Sequence, residues 1–137
     1  MNNETEFSHG IELLISLGYE AVMDDYVHNE NYLYRLAIAS KGIDRHLDIL
    51  VHDENNLVRI AVAEKGRPQD LDILINDPDP FVRAAVAKHQ RFQDLLLLKH
   101  DESDYVKDYA NNKKIKRRVR YSSNPKGIIH RLFFKRI

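Results

Sequence analysis

Four positions of this chain, Arg35, Arg59, Arg83 and Lys107, recur with a 24-residue period, and Arg131 continues the register. Around them YLYRLAIASK, NLVRIAVAEK and DPDPFVRAAVAK are near-copies. Further columns keep step: Asn29, Asp53, Asp77, Asp101; Asn31, Asn55, Asp79, Ser103; Ala37, Ala61, Ala85; Leu47, Leu71, Leu95; and Leu50, Leu74, Leu98. A fixed period on this scale leaves few folds open. A unit this short cannot bury an apolar face alone and must stack on its neighbour, as in a solenoid.

Each unit divides in two. The Asn31/Asn55/Asp79/Ser103 column holds only good N-cap residues, whose side-chain oxygens accept from the free amides of a first helical turn. Pro80 follows at the first helical position, where its missing N–H costs nothing. FVRAAVA is apolar nearly all round, as a helix covered on more than one side must be, and the small Ala37, Ala61 and Ala85 would let neighbouring helices approach. These helices are expected to end near Gly42 and Gly66, which readily take the left-handed conformation, with Lys41 and Lys65 at the negative end of the dipole. The second half, DRHLDILVH, RPQDLDILIN or RFQDLLLLKH, spaces its apolar residues at i, i+3 and i+4 and predicts a short amphipathic helix, partly 3-10 in character. A strand-plus-helix leucine-rich repeat has a compatible period, but it requires a third leucine where Asn76 stands after Leu71 and Leu74. The all-α form is preferred.

The expected fold is therefore a right-handed α-solenoid of about five repeats in a single domain spanning 1–137. Residues 1–28 form an N-terminal cap, with a helix over Ile11 to Leu17 and a second over Glu20 to His28. Residues 29–100 are regular repeats. Residues 101–137 are degenerate and basic, with Lys116 to Asn124 and Gly127 to Phe134 as the last helices.

The unit DPDPFVRAAVA, followed about eight residues later by DLLLL, resembles the leucine-rich-repeat variant family, whose 24-residue units carry a D-P-x-x-x-V-R-x-A-V-A core. More distantly it is similar to HEAT repeats. The likeness is best over Asn29 to Leu98, about half the chain. It implies a right-handed superhelix of alternating α and 3-10 helices that serves as an interaction scaffold. Some members of that family hold an iron-sulphur cluster on cysteines; this chain has no cysteine, so no cofactor is expected. Lys107, Tyr109, Asn111, Ser122 and Ser123 depart from the family pattern.

Composition narrows the function classes. With 43% hydrophobic and 31% charged residues the chain suits a folded protein, and no window approaches the roughly 20 consecutive apolar residues of a membrane span. MNNETEFSHG lacks the basic flank and apolar stretch of a secretory signal, so a cytoplasmic location is the default. Without cysteine there is no disulfide, thiolate metal site or cysteine nucleophile. The net charge of zero conceals a division. Through Asp108 there are 11 Lys and Arg against 21 Asp and Glu, a balance of −10, and the remaining 10 basic residues meet no acid. Such a split marks either a basic tail for an acidic partner or two ends that attract each other.

Four groups of residues are candidate sites. The basic column of Arg35, Arg59, Arg83, Lys107 and Arg131 could track phosphates. Alternatively each member clamps an aspartate of the Asp53/Asp77/Asp101 column, Arg83 with Asp77 among them. The planar guanidinium fork favours this second, structural ladder. His28, His52 and His100 share a column, but residues on successive units do not converge on one metal as a zinc site requires; helix capping is the plainer account. No phosphate loop, nucleophile elbow or H-E-x-x-H is present, and Asp24-Asp25 and Asp53-Glu54 are adjacent residues that point apart on a helix, so no enzymatic activity is expected. KKIKRRVRY contributes Lys113, Lys114, Lys116, Arg117, Arg118 and Arg120, to which Lys126, Arg131, Lys135 and Arg136 add charge. This region could bind DNA, RNA or an anionic membrane surface, or simply cap the array. Protein–protein interaction through the repeat surface is the preferred function, and nucleic-acid binding through the basic C-terminus is the alternative.

Overall fold

The computed structural model describes residues 3–111, and the regular elements among them are all α-helices: α1 (Asn3–Ser16), α2 (Glu20–Tyr26), α3 (Tyr32–Lys41), α4 (Asp44–Leu50), α5 (Asn56–Lys65), α6 (Pro68–Leu74), α7 (Pro80–Lys88), α8 (Phe92–Leu98) and α9 (Asp104–Ala110). Neither a strand nor a 3-10 helix occurs among these residues. The segment that a leucine-rich repeat would use as a strand is helix α6.

The expected 3-10 character of the second helices is corrected. Leu47, Leu71 and Leu95 donate their amides to the carbonyls of Ile43, Arg67 and Arg91, four residues back, and Val51, Ile75 and Lys99 close the other end in the same way. Those are α-helical bonds. An acid in each first turn, Asp44, Asp70 or Asp94, complements the helix dipole.

The odd-numbered helices start where the cap column places them. Asn31 accepts from the Leu33 amide, Asn55 from Leu57, and Asp79 from both Phe81 and Val82. Ser103 occupies the same position before α9 without a side-chain cap bond. One step earlier, the side chains of Asn29, Asp53, Asp77 and Asp101 each accept the amide two residues on, which folds the chain into the helix entry. At the other end Gly42 and Gly66 are left-handed, with φ of 76° and 75°. The third unit has no glycine there. Its helix stops at Lys88, and Gln90 takes the left-handed conformation instead, with φ of 59°.

Packing follows chain order. Helix α1 lies on α3, α3 on α5, α5 on α7 and α7 on α9, and each of α2, α4, α6 and α8 contacts the odd-numbered helix before and after it. Val58, Val62, Val82, Val86 and Val106 from the odd helices meet Leu47, Leu50, Leu71, Leu74, Leu95 and Leu98 from the even ones in one buried core. Burial of each such side chain stabilises by roughly 1.5–3 kcal/mol. Ala39, Ala63 and Ala87 are wholly enclosed, while in the Ala37/Ala61/Ala85 column only Ala61 and Ala85 are buried. The N-terminal helix extends further than the Ile11 to Leu17 stretch predicts. No described helix is long and apolar enough to cross a membrane. The helices expected at Lys116 to Asn124 and Gly127 to Phe134 lie outside the described residues.

Candidate functional site

The arginine column forms an edge of interlocked hydrogen bonds. Arg35 donates from Nε and Nη2 to the two carboxylate oxygens of Asp53, at 2.7 and 3.0 Å. Arg59 does the same to Asp77 at 2.7 and 3.0 Å, and Arg83 to Asp101 at 2.7 and 2.8 Å. The third nitrogen, Nη1, turns back to its own unit and donates to the carbonyls of Asn29, Asp53 and Asp77 respectively. Each guanidinium thus joins the loop before its own helix to the loop before the next odd-numbered one. The pairing of Arg83 with the Asp77 side chain is corrected: that carboxylate belongs to Arg59, and Asp77 offers Arg83 only its main-chain oxygen. The reason is reach, since the side chain leaves its helix toward the following unit. Hydrogen bonds from Arg83 hold the Asp101 carboxyl below the usual carboxylate range, against the opposing effect of burial.

Lys107 is placed differently. Its ammonium pairs at 2.6 Å with Asp104 of its own helix. Each forked arginine finds its aspartate 18 residues further along the chain, and at that offset from Lys107 the sequence has Pro125.

A second set of ion pairs ties the even-numbered helices together. Arg67 forks onto Asp70 at 2.7 and 2.8 Å and reaches Asp48 of the preceding unit at 2.8 Å. Arg91 repeats this with Asp94 and Asp72. In the first unit Asp24 fills the Asp48/Asp72 position and is shared by Arg45 and His46, whose buried ring places Nε2 2.6 Å from Asp24 Oδ1. His46 Nδ1 is buried without a partner. The 24-residue spacings of Arg67 with Arg91, and of Asp24 with Asp48 and Asp72, carry the sequence signal for this set.

Every one of the six arginines among the described residues is therefore held by a carboxylate. None is presented to solvent as a phosphate-tracking ladder. Carboxylates, by contrast, are left in excess at the surface.

Two grooves indent the clamped edge. One of about 390 Å³ is lined by His28, Glu30, Ile49, His52 and Glu54 around Arg35, and one of about 470 Å³ by Asn76, Pro78, Leu97 and Glu102 around Arg83. They are the same place two units apart. His28, His52 and His100 are all exposed, and no cluster able to hold a metal occurs among the described residues.

One surface row carries a plain signal in the sequence, its own period, although it belongs to no motif. Leu33, Leu57, Phe81 and Tyr105 share the 24-residue spacing, each at the second position of an odd-numbered helix, and all four are exposed. Phe81 meets Tyr105 edge to face with ring centroids 5.1 Å apart, and Tyr105 meets Tyr109 likewise. The basic candidates Lys113, Lys114, Lys116, Arg117, Arg118, Arg120, Lys126, Arg131, Lys135 and Arg136 lie outside the described residues. Comparison of the chain with protein-family models, curated proteins and solved structures finds no match.

Proposed function

We propose that this chain is a non-enzymatic scaffold of the cytoplasm, a right-handed α-solenoid of about five 24-residue units with degenerate caps, that binds another protein along its repeat surface. Packing in chain order, and ion pairs that recur once per unit, support the repeat architecture. The likeness of its units to the leucine-rich-repeat variant pattern agrees with it. The observation that carries the binding function is the exposed row of Leu33, Leu57, Phe81 and Tyr105. Single exposed apolar residues are ordinary; a row in register across four helices is a surface shaped for contact.

Affinity capture with the wild-type chain and with the double variant Leu57→Asp, Phe81→Asp tests this function. The expected result is a stoichiometric, nuclease-insensitive protein partner that the variant fails to retain. Equal capture by both chains overturns it.

The alternative is nucleic-acid binding through the basic C-terminal region, supported by six basic residues in the nine of KKIKRRVRY. It requires an affinity for generic DNA or RNA that falls steeply with salt and collapses when Lys113, Lys114, Arg117 and Arg118 are neutralised.

A further inference from the structure

Charge is graded along the array. Residues 1–55, up to the start of α5, hold 3 Lys and Arg against 11 Asp and Glu, a balance of −8. Residues 56–108 hold 8 against 10, a balance of −2, and residues 109–137 carry 10 basic residues and no acid. Because the odd-numbered helices pack in chain order, order along the chain is order in space among the described residues. Acid gathers at the α1 end of the stack. Helix α9 lies at the other end and stops at Ala110, three residues before Lys113 opens the basic segment.

The acid at the α1 end is not all used by the fold. Arg35 is forked onto Asp53, Arg45 is shared by Glu20 and Asp24, and Lys41 donates to the Ser16 carbonyl. Asp25 and Glu30 are exposed and form no ion pair with a described residue. Glu54 is 86% exposed and touches the already forked Arg35 only at 3.4 Å. The lysines of the later units do not offset these carboxylates. Lys65 packs over Gly42, at the opposite ends of α3 and α5 from Glu30 and Glu54. Lys88 lies over the Tyr109 ring, and Lys107 pairs with Asp104.

Glu30 and Glu54 both stand on the groove of about 390 Å³ around Arg35, whose wall includes the exposed Ile49. A lysine or arginine suits such a place in two parts, its methylene stem against the apolar wall and its cation at the carboxylates. KKIKRRVRY supplies six such residues in nine. Between the groove and Lys113 lie the nearly balanced units of α5 to α9. At roughly 8–10 Å per packed helix, the groove is well past the Debye length of about 8 Å from the start of that segment. The acidic end is thus screened from the basic segment of its own molecule, whereas two copies laid head to tail bring opposite charges into contact.

We propose that this chain associates with itself head to tail, the basic segment 113–120 of one copy seating at the Glu30/Glu54 groove of the next. Such a contact leaves one acidic and one basic end unused in every pair and therefore propagates. It stands apart from the exposed Leu33/Leu57/Phe81/Tyr105 row and from the partner protein proposed above.

Sedimentation velocity on the full chain over a wide range of concentration tests it. The mass is expected to grow with concentration at about 0.01 M salt and to fall to that of a monomer at about 1 M, as the Debye length shrinks from about 30 Å to about 3 Å. Neutralising the acidic end (Asp25→Asn, Glu30→Gln, Glu54→Gln) or the basic end (Lys113→Gln, Lys114→Gln, Arg117→Gln, Arg118→Gln) should weaken association at least on the order of tenfold, about 1.4 kcal/mol. Both variants should keep the wild-type melting curve in high salt. Mixed together, the two should form a one-to-one dimer that grows no further, since each retains the end that the other lacks.

A wild-type chain that stays monomeric at every concentration in low salt overturns the proposal without recourse to a variant. If its hydrodynamic radius also expands with salt, the two ends meet within one molecule. Association that survives either neutralised end overturns the assigned surfaces, and a mixture of the two variants that remains monomeric overturns the head-to-tail arrangement.

Discussion

Two columns sit two positions apart on the same helices and behave as opposites. Arg35, Arg59 and Arg83 are drawn in, forked onto Asp53, Asp77 and Asp101 and bonded to main-chain carbonyls. Leu33, Leu57 and Phe81, next along the same turns, are left in water. Both recur with the same period, so recurrence alone does not separate a clamped column from an exposed one. Hydrogen-bonding and burial do. A polar column whose donors are all satisfied is finished as structure, whereas an apolar column without cover still has surface to bury.

The strongest break in that comparison is removal of one partner from a clamp. Asp101→Ala leaves the Arg83 guanidinium buried without its anion and takes an acceptor from the Ser103 amide. Losses of this kind cost about 3–5 kcal/mol, read as a lowered midpoint in urea or thermal unfolding. Arg59→Ala should also destabilise, by stranding Asp77. If either variant melts with wild type, the clamps are ornamental and the contrast between the columns fails.

Acid tests the same pair more gently. Asp101 titrates lower in the folded chain, because Arg83 hydrogen-bonds its ionised form. Its contribution is therefore complete above the unfolded value near pH 4 and is lost as pH falls through the folded value. Asp101→Asn should flatten the pH dependence of stability below about pH 4 and leave the slope near neutrality unchanged.

Smaller effects are expected at the helix ends. Gly66 has φ of 75°, and a Cβ there would lie 2.6 Å from the His89 ring, which packs over it and contacts the Ala63 carbonyl. Gly66→Ala should cost more than the roughly 1–2 kcal/mol of a left-handed non-glycine residue. The smallest effect belongs to the exposed row: Leu57→Ser should change unfolding by no more than about 0.5 kcal/mol while weakening partner binding. A large loss of stability there would move the row to the structural side of the comparison.

The clamp column also differs along its own length. Where Arg35, Arg59 or Arg83 stands, an aspartate follows at a fixed offset; for Lys107 that aspartate is replaced by Pro125, and the ammonium turns to Asp104 in its own helix. Loss of the fork and loss of its partner coincide at the position where the pattern decays. Helix α9 likewise starts at Ser103 without a cap bond, unlike the helices begun by Asn55 and Asp79. Within the described residues, the regular pattern is best kept where three-point clamps hold it.

The sequence by itself determined the period, the all-helical class, the starts of α3, α5 and α7 and the glycine stops at Gly42 and Gly66. These follow from short-range chemistry: a cap side chain reaches amides two or three residues away, and a glycine decides its own φ. The apolar positions of the even helices were equally legible, because their spacing is local. The second set of pairs around Arg67 and Arg91 was written in the same period but hidden by its charged composition, since charged residues on a short helix look alike until partners are known, and the burial of Asp70 and Asp94 is set by those partners. Only the tertiary structure decided that Arg83 takes Asp101 and not Asp77, and that Gln90 bears a left-handed turn without glycine. The same holds for four apolar residues left uncovered. Those outcomes depend on which unit a side chain reaches and on what packs above it, and both are set by contacts between units.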